Sequence, residues 1–354
     1  MELNTKKGNK AVAIWLLIGV GMIIIQVLLG GITRLTGSGL SITEWKPILG
    51  AIPPTSEAAW EHAFDTYKQI GQYKYLNTHF TLSDFKFIYF WEWFHREWAR
   101  LIGVVFAVGF VYLIVKGYLN KNMVRPMIIL FVLGGLQGAI GWIMVSSGLN
   151  EENLYVNHIR LAIHFIAALG LLVYTLWFAF QLLVPESERV VAPSLRKFTG
   201  WMIAIVVLQL IYGAFMAGLK AATFAPTWPT INGEWIPSNI TTFGNRTFSG
   251  LQKFTDNPFA VHFIHRTLAY VITILVIIWL AKAAKITTGK LFKRTQWLPL
   301  VVVLIQVLLG ILTVLNAANT KALLWLGITH QFVAMIFLIV WVWELYLLRK
   351  TKEN

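Results

Sequence analysis

FKFIYFWEWFHREWARLIGVVFAVGFVYLIV, residues 85–115, is the stretch on which the class of this protein turns. Its charge-free part, 101–115, falls short of the ~20 apolar residues that a helix needs to cross a bilayer. It becomes long enough only when the aromatic residues upstream are included, and these bring Glu92, His95, Arg96, Glu97 and Arg100 with them. A second stretch is built the same way. PFAVHFIHRTLAYVITILVIIWLA, residues 258–281, is charge-free only from 267 and carries His262, His265 and Arg266. Ionisable groups brought into a membrane are expensive to bury and mark function. Six further stretches are free of charged residues: 11–33, 126–150, 161–185, 198–219, 295–320 and 322–343. Eight spanning helices are therefore expected.

The composition agrees. The 354 residues are 57% hydrophobic and 13% charged, against roughly 25% charged in soluble chains. This excludes a soluble globular enzyme, a disordered chain and a disulfide scaffold. Having no cysteine, the chain also lacks iron–sulfur, zinc–thiolate and thiol-nucleophile chemistry. The first span is too long for a cleaved leader and is followed by Arg34, and the short MELNTKKGNK start does not read as a transit peptide.

Eight spans put both termini on one side. That side, with its loops near 116–125, 186–197 and 282–294, holds 17 Lys+Arg and 5 Asp+Glu, leaving 13 and 11 for the rest of the chain. So +12 of the net +14 lies on one face, which predicts cytoplasmic termini in a multi-pass cell-membrane protein of the bacterial inner-membrane type. The basic residues are juxtamembrane, so no nucleic-acid partner is expected. On the other side, two long connections near 34–85 and 220–257 carry Trp45-Lys46-Pro47 and Trp235-Ile236-Pro237. They read as ordered caps on the membrane surface.

The spans repeat. Gln-x-x-x-Gly occurs in each odd-numbered one, as Gln26/Gly30, Gln137/Gly141, Gln209/Gly213 and Gln306/Gly310. Residues i and i+4 share a helix face, and taken alone the pair reads best as helix packing. Each even-numbered span carries a histidine near its outer end: His95, His164, His265 and His330. The expected fold is an all-α integral membrane protein. Its two tandem four-helix bundles, 1–190 and 191–354, are related by a pseudo-twofold along the membrane normal.

A lone histidine in a membrane helix is ordinarily a packing residue. Four at one depth, paired once per half, suit axial ligation of heme iron, and two per half leave zinc short of ligands. His62, His79 and His158 fall outside the membrane, whereas His262 competes with His265. Arg34, Arg96, Arg160 and Arg266 stand at the outer boundary, where arginine pairs with carboxylates such as heme propionates or snorkels to headgroups. The halves differ one turn before the first histidine, where Glu92 stands in one and His262 in the other. An acid beside only one heme places chemistry in the first half and electron transfer in the second.

GGITRLTGSGLSITEWKPILGAIPP, FKFIYFWEWFHREWARLIG, QGAIGWIMVSSGL, RLAIHF, YGAFMAGLKA and FIHRTLAY together resemble the heme A synthase family, in the cysteine-free form of many bacteria and mitochondria. The resemblance implies an oxidoreductase that converts the C8 methyl of heme O to the formyl of heme A by successive hydroxylation, with loss of water from a gem-diol. It implies His95 and His164 as axial ligands of the substrate heme, His265 and His330 as ligands of a heme b cofactor, and Glu92 as the functional acid. It implies heme O synthase as substrate donor, a membrane electron acceptor, and the terminal oxidase assembly machinery as partners, with homo-oligomers possible through the Gln-x-x-x-Gly faces. Family members with paired loop cysteines differ from this chain, and position 262 is His where an amide is expected. A diheme bis-histidine cytochrome relaying electrons from quinol would explain the histidines but not Glu92 or the caps. A heme carrier would not explain duplicated pairs on rigid helices.

Overall fold

The computed structural model describes residues 2–46 and 49–349. Pro47, of the first Trp-x-Pro element, lies outside the described residues. Among those described, eight helices are long and apolar enough to cross a membrane, as expected of a multi-pass membrane protein. They are α1 (Glu2–Leu35), α2 (Leu82–Val115), α3 (Lys121–Ser146), α4 (His158–Leu183), α5 (Pro193–Gly218), α6 (Pro258–Ala283), α7 (Leu298–Leu315) and α8 (Thr320–Leu347).

Local chemistry sets their limits. Thr81 and Asp84 form a reciprocal capping box at the start of α2. Asn257 caps α6 with Pro258 in its first turn, and Asn120 and Asn319 cap α3 and α8. Charge-bounded reading makes some helices too short, because Lys, Glu and Arg are good helix formers. Thus α1 begins at Glu2 and α2 at Leu82. The 34 residues of α2 measure about 51 Å, well beyond the ~30 Å hydrocarbon core, so its outer turns stand clear of it. At the other extreme, α7 is shorter than 295–320, because Trp297 and Pro299 separate it from a short helix at Lys290–Thr295.

The chain forms two compact units. The first, Ile18–Leu171, holds most of α1, all of α2 and α3, and the outer part of α4. Its long connection is an ordered cap with helices at Glu57–Tyr67 and Gly71–Tyr75. Leu40, Phe64, Tyr67, Ile70, Phe85 and Ile88 form its core, with Trp60 and Tyr89 packed against them. Inside it, the Tyr67 hydroxyl donates to Gln72 Oε1 at 3.0 Å and accepts from Asn77 Nδ2 at 2.8 Å. Burial pushes this phenol up to about 12. Gly71 brings the cap against the α3–α4 connection, donating its N–H to Asn150 O at 2.8 Å. A Cβ at Gly71 would meet Glu151 O at 2.7 Å and Asn153 O at 3.0 Å, both backbone. Gly71→Val is accordingly expected to destabilise the chain by about 1–3 kcal/mol, read as a lowered thermal midpoint; an unchanged midpoint would contradict this docking.

Among the described residues, the second unit comprises 2–17 and 172–349. Its helices pack closely around Trp279, Trp341, Phe292 and Met335, all fully buried. Trp279 Nε1 donates to Thr199 Oγ1 at 2.8 Å, joining α6 to α5. At the end opposite the histidines, Val190–Val191 pairs in parallel with Leu348–Arg349, and Arg196 donates to Leu345 O and Leu348 O. The outer connection of this unit holds a small hairpin, Thr242–Phe243 with Arg246–Thr247, tied to Asn257 through Asn239 O and Thr242 O. Among the described residues, both long connections thus hold secondary structure of their own.

Candidate functional site: two histidine pairs in matching cradles

In the first unit, His95 on α2 and His164 on α4 stand within electrostatic reach of each other. Each ring lies edge-on against a glycine of the preceding helix. A Cβ on Gly30 would lie 3.1 Å from His95 Cε1, and one on Gly141 2.9 Å from His164 Cε1. The glutamine one turn earlier reaches the same histidine. Gln26 Nε2 lies 3.4 Å from His95 Nε2. Gln137 Nε2 donates to His164 O at 2.9 Å and lies 3.1 Å from its Nδ1.

The second unit repeats the arrangement. A Cβ on Gly213 would lie 3.3 Å from His265 Cε1, and one on Gly310 3.0 Å from His330 Cε1. Gln209 Nε2 donates to His265 O at 3.0 Å, and Gln306 Nε2 lies 3.3 Å from His330 Nε2. The rings of His265 and His330 lie with centroids 6.4 Å apart and planes at 75°. Two imidazole nitrogens each roughly 2 Å from a shared metal put ring centroids roughly 6 Å apart, so these two residues would hold a heme iron between them at close to this separation. Among the described residues, the buried Nδ1 atoms of His95, His262, His265 and His330 have no hydrogen-bond partner, which by itself does not separate His262 from His265. His262 is buried one turn away beside Arg266, but it is His265 that meets the glycine and lies 6.4 Å from His330.

Glu92 is only 2% exposed, and its contacts go to the first cap. Oε2 accepts from Ser41 N and Ser41 Oγ, both at 2.7 Å, and from Ile42 N at 2.9 Å. Oε1 accepts from Arg96 at 2.5 Å. Arg96 also donates to Ile42 O and Glu44 O, and its guanidinium lies over Trp142, on which Trp45 stacks at 5.7 Å. Arg266 does the parallel job in the second unit, donating to Pro229 O at 2.6 Å and Trp235 O at 3.2 Å. In each His-Arg pair the arginine thus holds the loop beside the Trp-x-Pro element. Arg160 donates to Ile143 O at 2.8 Å, and Arg34 ends α1 half-buried. His62 and His79 are exposed in the cap, and His158 opens α4.

One feature escapes a reading of the motif alone. Aligned on their glutamines, α1, α5 and α7 carry Ile23, Ile24 and Val27; Val206, Val207 and Leu210; and Val303, Leu304 and Val307. At the same places α3 has Gly134, Gly135 and Gly138, with open space where each Cβ would be. Helices α2 and α3 bury 6% of their most apolar stretch and α5 to α8 17–28%, whereas α1 and α4 bury 39% and 33%. The flank of α3 beside His164 is thus open, where the other three helices carry aliphatic side chains.

The profile of the COX15-CtaA family, described as cytochrome oxidase assembly protein, matches residues 13–342. The chain is 42% identical over 343 residues to a Heme A synthase of Flavobacterium psychrophilum, covering 96% of this chain and 98% of that one. It is 39% identical over 348 residues to a Heme A synthase of Flavobacterium johnsoniae, covering 98% and 100%. Against a Heme A synthase of Brucella suis the identity is 40% over 332 residues, covering 94% and 90%.

Proposed function

The chain belongs to the COX15-CtaA family of cytochrome oxidase assembly proteins, and from that premise we propose that it is a heme A synthase, a multi-pass membrane enzyme supplying heme A to terminal oxidases. The substrate is heme O, whose C8 methyl is oxidised to a formyl group, taking its oxygen atom from water and releasing four protons and four electrons, the electrons leaving to a membrane acceptor. His95 and His164 hold the substrate in the first unit, and His265 and His330 hold heme b in the second. Heme b, when bound, supplies one-electron transfer. The termini lie on the cytoplasmic side of the cell membrane, heme O synthase delivers the substrate, and the oxidase assembly machinery takes the product.

The observation that carries this reading is the same histidine pair built twice in unequal surroundings. A group that stays is favoured by close packing, and one that comes and goes needs room. The open flank of α3 beside His164 therefore supports substrate in the first unit, and the aliphatic side chains at the matching places of α5 and α7 support a resident cofactor in the second. Glu92 belongs to the first unit only. Its hydrogen bonds support reading Glu92, expected to be catalytic from its position, as a positioning residue that pins Ser41, Ile42 and Arg96 into a cap keeping bulk water from the substrate. Arg34, Arg96, Arg160 and Arg266 remain the arginines proposed for the propionates, Arg96 and Arg266 also bracing the caps.

Heme content separates this reading from an electron-relaying diheme cytochrome. Chain purified after expression with heme O should release one heme b and one heme of the O/A type. Two heme b per chain, with no uptake of heme O, would sink the proposal. Gly138→Leu, which fills the flank as Val307 does in α7, is expected to cut heme A formation about tenfold or more at unchanged heme b. Unaltered turnover in that variant would show that the flank is not used by substrate.

A further inference from the structure

We infer that each Gln-x-x-x-Gly is the seat of the histidine on the following helix, the glycine setting how deeply the imidazole enters between the two helices and the glutamine fixing the histidine there. This rests on the proposed heme ligation. The sequence pattern alone reads as packing, and the structure gives the pattern a specific object. Four glycines on four helices each meet one side chain, the four histidines, and in every case the closest atom is Cε1. At Gly30, Gly141 and Gly310 the two ring nitrogens are equidistant from the added Cβ to within 0.1 Å: 3.7 and 3.7, 3.4 and 3.5, 3.7 and 3.8 Å. The ring is aimed at the glycine with its non-ligating carbon, leaving one nitrogen on either side. Any larger residue would push the ring out along its own plane and move both nitrogens.

The glutamines complete the seat at the ring, at the backbone, or at both. Gln26 and Gln306 stand beside the ring at Nε2, Gln209 donates to the backbone carbonyl of its histidine, and Gln137 donates to that carbonyl while standing beside Nδ1. All four Oε1 atoms are buried without a partner among the described residues, so they remain as acceptors for an imidazole N–H once the ring binds metal. An acceptor of this kind fixes the tautomer and raises the basicity of the ligand. These residues are positioning residues; they act through the histidines.

Alanine in place of glycine inside a helix ordinarily stabilises it, so a purely structural role predicts neutral or stabilised variants. The test uses optical and electron paramagnetic resonance spectra of the full-length chain purified with its hemes. Gly310→Ala and Gly213→Ala should shift the low-spin signal of the second-unit heme and weaken its retention about tenfold, Gly310→Ala more strongly. Gly30→Ala and Gly141→Ala should do so for the first-unit heme, Gly141→Ala more strongly. Gly21→Ala and Gly200→Ala lie on the same helices as Gly30 and Gly213 with open space around them, and should leave both signals in place. Gln306→Leu should shift the midpoint potential of the second-unit heme without unfolding the chain. Seat variants that match the controls, or that disturb both hemes equally, overturn the inference alone. A wild-type chain with no low-spin heme overturns the ligation as well.

Discussion

Glu92→Ala should abolish measurable heme A formation while leaving heme b in the second unit. The carboxylate is buried and accepts two hydrogen bonds from Ser41, one from Ile42 and one from Arg96. Truncation strands the guanidinium of Arg96 and two backbone N–H groups in the same place. Removing one partner of a buried ion pair costs about 3–5 kcal/mol, enough to lower the closed-cap population about 100-fold or more. Glu92→Gln should be milder. Its single carbonyl can still accept from Ser41 and Ile42, and it forfeits mainly the pairing with Arg96, worth roughly 1–3 kcal/mol. The order wild type, Gln, Ala in heme A formation is the signature of pinning. Equal and complete inactivation by both, with the cap intact to proteolysis, would instead return Glu92 to direct chemistry. Full activity in Glu92→Ala would remove it from the reaction altogether.

The second large effect is expected at His330. His330→Ala should lose heme b from the second unit and heme A formation with it, yet remain folded in the membrane. Even residues that only support a metal ligand change affinity by about 10–100-fold, so loss of the ligand itself should exceed about 100-fold. The fold should persist because what holds this unit together lies elsewhere. Trp341 is 11 residues further along α8 and Trp279 is 14 residues beyond His265 on α6, about 16 and 21 Å along their helices. Their contact, with ring centroids 5.1 Å apart, does not involve the histidines. Heme extraction and absorption spectra of the purified variant provide the check, and full heme b content would contradict the assignment.

Much of this architecture is legible in the amino-acid sequence. Eight spans, and a histidine on each even one, follow from where charge is missing and where it intrudes at 92–100 and 262–266. The seats are harder to read. Gln26 and Gly30 serve a histidine 69 and 65 residues away, and one-helix periodicity cannot show what crosses a helix. The available signal is numerical: four such pairs on odd helices match four histidines on even ones. Glu92 is visible as an acid near His95, but its partners are backbone amides, which leave no mark in a sequence. The glycines of α3 become informative only when the four repeats are aligned on their glutamines, and only the open space beside them separates a substrate flank from packing. Sequence position suggests propionates or headgroups as partners of Arg96 and Arg266. Their carbonyl partners lie in cap loops whose path the sequence does not specify.

The most direct measurement is chemical. Membranes containing the full-length chain are supplied with heme O, and the pigments are extracted and separated. Heme A, with or without a hydroxylated heme O, is expected from the wild-type chain, reduced in Gly138→Leu and absent in His330→Ala. Recovery of heme O unchanged, from a wild-type chain that carries its heme b, would contradict the proposed function.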